Sequence, residues 1–292
     1  MKFRFILNPR SGRNLGNNRL LDRTRAFIAR YALDATVVLT ERPRHATELA
    51  RQAVVDGCER VVAIGGDGTL NEVAAALIDS SAVLGLVPCG SGNGFGRHLG
   101  IKDDGPNAYR TLLSGRVRAV DTGVANGHPF VNVMGVGFDA EISRRFNRLT
   151  KRGFAAYLHT TVRLYLGYRR ENYCVQGGGA SFRGKAFLIA VANSDQYGND
   201  CYIAPGASVS DGQLDLTVIR RADLLQSLPL AYRLFRGTVR QCDSVVCLRN
   251  PIFTIERDQP GPIHTDGEVH ETVARVDIEV RPASLNVLIP SP

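Results

Sequence analysis

One passage constrains the fold of this chain more than any other: the apolar run Val61-Val62-Ala63-Ile64 passes directly into Gly65-Gly66-Asp67-Gly68-Thr69. Leu70, Val73, Ala74 and Leu77 then recur at helical spacing, with Asn71 and Glu72 in the first turn. A short apolar run that ends in glycines and opens a helix is the strand–loop–helix join of an α/β sheet. Ligands of such sheets gather at the carboxyl ends of the strands, where glycines let backbone amides approach phosphate oxygens without an intervening Cβ. An acid there repels phosphate unless a cation intervenes, so Asp67 is expected to partner magnesium or its bound waters. The plainer alternative is a tight turn in which Asp67 only caps the following helix.

The rest of the first third repeats the pattern. Phe3 to Leu7, Thr36 to Thr40 and Val83 to Val87 read as further strands, and helical periods lie between them: Leu20, Thr24, Phe27, Ile28 and Tyr31, then Ala46, Leu49, Ala50 and Ala53. Repeated β-α-β implies a parallel sheet covered by helices. A second glycine loop, Gly90-Ser91-Gly92-Asn93-Gly94-Phe95-Gly96, follows the strand at Val83 to Val87, so two glycine loops at adjacent strand ends are expected to line one cleft. Neither has the spacing Gly-x-Gly-x-x-Gly, and no Gly-x-x-x-x-Gly-Lys-Ser/Thr is present, which disfavours a dinucleotide oxidoreductase and a P-loop NTPase. Asn8-Pro9-Arg10-Ser11-Gly12 makes a third polar turn after the first strand, and Thr40 closes the second strand ahead of His45.

After Asp121 the texture changes to strand-like segments parted by Gly, Pro, Asn and Asp: Val131 to Val133, Ala186 to Ala192, Leu214 to Ile219, Phe253 to Glu256 and Val276 to Val280. Leu214, Leu216 and Val218 alternate with polar residues, as in a half-buried antiparallel strand. Gly177-Gly178-Gly179 reads as a hairpin loop. One helical period interrupts the strands, with Phe154, Tyr157, Leu158, Val162 and Tyr165 flanked by Arg144, Arg145, Arg148, Lys151, Arg152, Arg169 and Arg170. A basic, aromatic helix over Lys151 to Arg170 suits an anionic lipid surface, and equally a core-facing helix with a solvated rim.

Composition narrows the setting. With 292 residues, 44% of them hydrophobic, the chain can fill two domains of ordinary size. The apolar start is cut off by Asn8-Pro9, too soon for a signal-peptide core, and the longest clean apolar run has only strand length. A cytoplasmic protein, or one bound peripherally at the inner face of the membrane, is the expectation. The six scattered cysteines contain no Cys-x-x-Cys pair, so reduced packing residues are expected and a zinc site is not. A net charge of +8 suits an anionic partner without choosing among nucleotide phosphate, nucleic acid and an acidic membrane.

Together these loops resemble the diacylglycerol kinase catalytic family, which includes bacterial lipid kinases, sphingosine kinases and ceramide kinases. The residues that carry the resemblance run from Asn8-Pro9-x-Ser11-Gly12, Thr40 and His45-Ala46 through Gly65-Gly66-Asp67-Gly68-Thr69, Asn71-Glu72 and Gly90-Ser91-Gly92-Asn93. They continue with Phe130-x-Asn132, Gly137-x-Asp139-Ala140, Asn193, Gly198, Pro205-x-Ala207, Asp211-Gly212-x-Leu214-Asp215 and Asp266-Gly267-Glu268. The first glycine loop alone is shared with NAD kinases and phosphofructokinases.

The resemblance implies an N-terminal Rossmann-like α/β nucleotide-binding domain over residues 1–120, a C-terminal β-sandwich domain for the lipid substrate over 121–283, and a last strand, 284–292, returning to the first. It implies ATP and Mg²⁺ as cofactors, a lipid substrate at a membrane surface and no nucleic-acid partner; a homodimer stays open. Asn8, Ser11, Gly12, Thr40, Gly65, Gly66, Asp67, Gly68, Thr69, Glu72, Gly90, Ser91, Gly92 and Asn93 would hold the nucleotide. Glu268 is the first choice as proton acceptor, ahead of Asp266, and Asp67 belongs to the catalytic set. A second metal loop would hold magnesium through Asp211 and the carbonyls of Ser208 and Gln213. Many bacterial diacylglycerol kinases carry Thr and Asn-Asp where this chain has Ser91 and Asn93-Gly94. Its Gly-Ser-Gly-Asn form looks closer to sphingoid or ceramide kinases. An NAD kinase-like phosphotransferase and a non-catalytic protein binding nucleotide or anionic membrane are the competing readings.

Overall fold

The computed structural model describes residues 1–12, 18–147, 161, 164–165, 167–221 and 224–291. The chain forms two compact units, Met1–Asp121 with Ala283–Pro292, and Thr122–Pro282.

The first unit is a parallel sheet. Strands β1 (Lys2–Leu7), β2 (Asp34–Leu39), β3 (Arg60–Gly65) and β4 (Val83–Pro88) lie in the order β2-β1-β3-β4. The end of the last strand, β16 (Arg275–Ile289), adds beside β4 with Asn286 opposite Val83 and Val287 opposite Leu84. The near-continuous burial of β3 and β4 is what a strand covered on both faces requires. Helices α1 (Arg19–Arg30), α2 (His45–Val55), α3 (Asp67–Leu77), α4 (Gly94–His98) and α5 (Pro106–Ser114) alternate with these strands or follow them. The chain runs from β1 to β2 on one side, then returns to β3 on the other. The strand order therefore reverses between β1 and β3, and at such a switch point the loops leaving neighbouring strands part and leave a crevice. The loops after β1 and β3 are the polar turn at Asn8 and the glycine loop at Gly65.

The second unit is a β-sandwich with helices against one outer face. Six antiparallel strands run β12 (Val245–Asn250), β11 (Leu214–Ile219), β10 (Leu188–Ala192), β7 (Val133–Gly137), β14 (Gly261–Thr265) and β15 (Glu268–Thr272). The facing layer contains β9 (Ala180–Ala186), β8 (Glu171–Gly177), β13 (Ile252–Arg257) and the first part of β16. Met134, Val136, Ile189, Val191, Leu216 and Ile263 from one layer meet Tyr173, Val175, Phe253, Ile255 and Ile278 from the other in one buried core. The hairpin β5 (Arg116–Ala125) and β6 (His128–Phe130) leads into β7.

Two expectations are corrected here. Ala186 to Ala192 is not one strand: the chain leaves β9 in one layer, turns at Phe187 and enters β10 in the other. The strand at Leu214 is antiparallel as its alternation implies, but it is buried throughout rather than on one face. Its second face lies under α6 (Phe138–Asn147) and α7 (Leu224–Phe235), where Phe138, Ile142, Leu230 and Ile219 form a second apolar cluster. Asp215 and Thr217 survive that burial by pairing, Asp215 with Arg240 and Thr217 through its hydroxyl to the carbonyl of Ile203. The helix expected over Lys151 to Arg170 lies mostly outside the described residues, which include Tyr165, Arg169 and Arg170 but not Phe154, Tyr157, Leu158 or Val162.

Candidate active site

In the first unit three loops meet backbone to backbone. A Cβ on Gly12, whose φ is +54°, would sit 1.7 Å from the carbonyl oxygen of Cys89, and one on Gly90 would sit 2.8 Å from the Cα of Gly66. A Cβ on Gly65 would collide with Thr69 at 2.5 Å, whereas one on Gly68 would meet nothing within 4 Å. Gly12 and Gly90 are thus needed for the loops to close on one another and Gly65 for its loop to turn into α3, while Gly68 alone in its loop presents bare backbone to open space. Asn8 ties the first loop to the third helix by donating from Nδ2 to Thr69 Oγ1 at 3.0 Å, while its Oδ1 accepts from the Arg10 amide. Thr40 is buried at the end of β2, its amide donating to the carbonyl of Leu7. Ser11 and Gly92 are half-buried, and Ser91 is exposed on the second glycine loop.

Asp67 joins the two glycine loops. Its Oδ2 accepts from the Asn93 amide and its Oδ1 from the Gly94 amide, each at 2.9 Å. Burial pushes its carboxyl above the ordinary range, and the two amides oppose that by holding the charged form. Both oxygens fasten the turn that starts α4, each keeping lone-pair capacity for a further partner. Asn93, at φ +54°, is buried with its Nδ2 on the carbonyl of Lys102.

The two oxygens of Glu72 accept from the amides of Arg44 and Ala46, 3.1 Å each, at the open end of α2.

In the second unit the turn from Thr265 to Glu268 is held from below. Asp266, at φ +51°, turns its carboxylate onto the amides of Val131 (2.7 Å), Asn132 (2.9 Å) and Val133 (2.9 Å), and its own amide donates to the carbonyl of Val133. Burial raises this carboxyl to about 6 against the pull of the three amides. A carboxylate that already organises three donors has less freedom to abstract a proton than an exposed one. Glu268, at the start of β15, is exposed.

Beneath the turn lies a group that sequence reasoning did not assign. His264 is buried, its Nδ1 accepting from the Gly267 amide at 3.2 Å while its Nε2 lies 3.0 Å from Asp139 Oδ2. That geometry selects the ring tautomer with its proton on Nε2, facing the carboxylate. Burial disfavours a charged His264, but Asp139 outweighs it, so the histidine pKa lies above its ordinary value. Tyr197 donates its hydroxyl to the same Asp139 oxygen at 2.5 Å. Gly135 makes room: a Cβ there would fall 2.4 Å from Asp139 Oδ2 and 2.6 Å from His264 Nε2. Asp139 stands in the quoted Gly137-x-Asp139-Ala140 pattern and His264 two residues before Asp266, so both were in view, but nothing in their spacing announced that they touch.

In the expected metal loop the Asp211 carboxylate already has protein partners. Asp211 is ion-paired with Arg249 and accepts from the Gln213 amide at 3.1 Å, closing its own turn. Arg249 reaches it from β12, where it stands opposite Asp215. A cation at Asp211, with the carbonyls of Ser208 and Gln213, would have to displace a guanidinium. Among the described residues no three His, Cys, Asp or Glu side chains come together as a metal cluster, and no helix is long and apolar enough to cross a membrane.

Comparison with known proteins bears on both units. Residues 2–125 match the diacylglycerol kinase catalytic domain, and residues 132–289 match the YegS C-terminal NAD kinase beta sandwich-like domain. The chain is 28% identical over 270 residues to a diacylglycerol kinase of Bacillus subtilis (strain 168), covering 91% of this chain and 89% of that protein. It is 32% identical over 253 residues to a "Probable lipid kinase YegS-like" of Pectobacterium atrosepticum, covering 84% and 83%. The crystal structure of a diacylglycerol kinase from Bacillus anthracis str. Sterne has the same fold, with a TM-score of 0.76 at 20% identity over 99% of this chain and 97% of that one. The loops that close through Gly12, Gly66 and Gly90, the turn held by Asp266 and these matches over both units lead to one assignment: the chain belongs to the diacylglycerol kinase catalytic-domain family of lipid kinases and carries its YegS-type β-sandwich.

Proposed function

We propose that the protein is an ATP- and Mg²⁺-dependent lipid kinase that transfers the γ-phosphoryl group to a lipid hydroxyl of the diacylglycerol or sphingoid/ceramide type. The observation that carries this reading is the loop closure at the switch point of the parallel sheet, with Gly68 presenting bare backbone at the start of α3. Backbone amides at a helix start, with no Cβ over them, suit phosphate. The residues that would hold ATP are Asn8, Ser11, Gly12, Thr40, Gly65, Gly66, Gly68, Thr69, Gly90, Ser91, Gly92 and Asn93, most of them through main-chain groups.

Magnesium, when bound to the nucleotide phosphates, neutralises charge that develops on the transferred group. The spare lone pairs of Asp67 fit it as a partner of metal-bound water, whereas the Asp211 carboxylate is taken up by Arg249. Asp67 otherwise sets the spacing of the two glycine loops. Glu268 is the proton acceptor for the attacking hydroxyl: it is a carboxylate on a turn that Asp266 and His264 hold still, and unlike Asp266 it is exposed. Asp139, His264 and Tyr197 are positioning residues, acting through the Gly267 amide.

The competing NAD kinase-like reading shares the Gly65 loop and predicts a different product. Purified protein given labelled ATP, Mg²⁺ and, in parallel, NAD or a dispersed lipid should label lipid and leave NAD unchanged. NADP formation with no labelled lipid would replace the reading with the alternative.

A further inference from the structure

Among its described side chains, the helix α7 has one packed apolar face and one exposed apolar face. Leu230 is buried at 6% exposure and Leu234 packs with it against the second apolar cluster of the sandwich unit. On the opposite side Leu228, Tyr232 and Phe235 are 78%, 65% and 51% exposed, and Pro229 and Arg236 are exposed beside them. Spacings of three and four residues put Leu228, Tyr232 and Phe235 in one stripe along the helix. Elsewhere among the described residues the exposed large apolar side chains, such as Val55, Val117, Ile252 and Val273, are separated along the chain and form no helical stripe.

The charge around this stripe is predominantly positive. Residues 220–241 contain five arginines and a single acid, Asp223, and α7 itself contains no acid. Arg220, Arg221, Arg236 and Arg240 are exposed, Arg240 being tied to Asp215. Asp195 is the described acid that lines the shallow depression shared by Phe235 and Arg236. An outward stripe of leucine and aromatic side chains flanked by arginines matches the two layers of a bilayer boundary: acyl chains take the apolar stripe, and guanidinium groups reach back to lipid phosphates. A neutral or cationic protein face offers no such complement to the arginines.

We propose that the outward face of α7, through Leu228, Tyr232 and Phe235 with Arg236, rests on a bilayer that carries anionic phospholipid. This surface deepens the lipid-kinase reading and rests on it for its role, since an enzyme whose acceptor is dissolved in a membrane gains from residence there. It is also distinct from the basic helix that the sequence suggests over Lys151 to Arg170.

The test uses the full chain and vesicles of phosphatidylcholine, with and without phosphatidylglycerol. Wild type should sediment with the anionic vesicles and more weakly with neutral ones. The variant Leu228→Gln/Tyr232→Gln/Phe235→Gln, checked for wild-type circular dichroism, should lose at least about tenfold in vesicle partition while phosphorylating a dispersed short-chain acceptor at the wild-type rate. Arg236→Gln should weaken partition severalfold only on anionic vesicles. Undiminished partition of the triple variant overturns the proposal. So does a wild-type dimer that the triple variant dissolves without change in vesicle binding, which would make the stripe a contact between two copies. Vesicle binding lost in the triple variant, with no lipid phosphorylated by wild type, would keep the surface and reject the kinase reading.

Discussion

The Asp67 carboxylate accepts the main-chain amide of Asn93 at 2.9 Å and so couples the two glycine loops across 26 residues of sequence. With Gly94 as its second donor, it sets where α4 starts relative to α3. The acid in this loop therefore has a structural task alongside any part it plays at a metal.

Asp67→Asn turns one acceptor oxygen into a donor facing an amide N–H. The loss of one such hydrogen bond at a half-buried position should cost about 1–3 kcal/mol by chemical denaturation. Steady-state kinetics should show kcat/KM for ATP reduced by at least about 100-fold. A variant with wild-type stability and wild-type kinetics would remove Asp67 from both roles.

Glu268→Gln separates chemistry from folding. Since Glu268 is exposed, its melting temperature should stay close to wild type, while kcat falls about 10²- to 10⁴-fold with little change in KM for ATP. A fall in KM affinity with kcat preserved would instead make Glu268 a binding residue.

Asp266 gives a pH signature. Its carboxyl is raised from 3.8 to about 6 in the fold, so the folded state holds a proton that the unfolded chain has released between those values. The stability contribution is complete below about pH 3.8 and is lost as pH rises through about 6. The stability of wild type minus that of Asp266→Asn, measured by denaturant titration, should therefore decline from pH 4 to pH 6 and flatten above. A difference independent of pH would show that the three amides cancel the effect of burial.

Gly135→Ala tests the buried pair beneath the turn. A methyl group 2.4 Å from Asp139 Oδ2 forces Asp139 and His264 apart, at about 1–3 kcal/mol of stability. His264→Gln, of similar reach, should retain more of the fold, and if His264 positions the turn it should lower kcat rather than raise KM for ATP. Loss of stability with kcat intact would confine the pair to a packing role.

Asp211→Ala addresses the loop first read as a metal site. Its partner Arg249 is about half exposed, so loss of the ion pair should cost roughly 0.2–1 kcal/mol, and the Mg²⁺ concentration for half-maximal activity should not move. A severalfold increase in that concentration would restore the metal assignment.

Much of the first unit was legible because its signals are local. Strand β3, the glycine loop and α3 are contiguous, and burial on both faces leaves an unbroken apolar run at Val61 to Ile64. What Asp67 and Glu72 bind was not legible, because the amides of Asn93, Gly94, Arg44 and Ala46 become donors only once two loops or two helices are side by side. The same holds for Asp139 and His264, more than a hundred residues apart and brought together by the pairing of β7 with β14. The alternation at Leu214 misled because it reports one face of a strand, whereas helices cover the other. Asp211 looked like a ligand because the sequence does not show that Arg249, opposite Asp215 on β12, reaches it with its side chain.

The most direct measurement is transfer of label from γ-labelled ATP to diacylglycerol, a sphingoid base and ceramide, by wild type and Glu268→Gln side by side, with and without Mg²⁺. Labelled lipid from wild type with metal, absent without it and reduced at least about 100-fold in the variant, is the expected result. The account is contradicted if wild type labels none of these lipids, or if the variant labels them as fast.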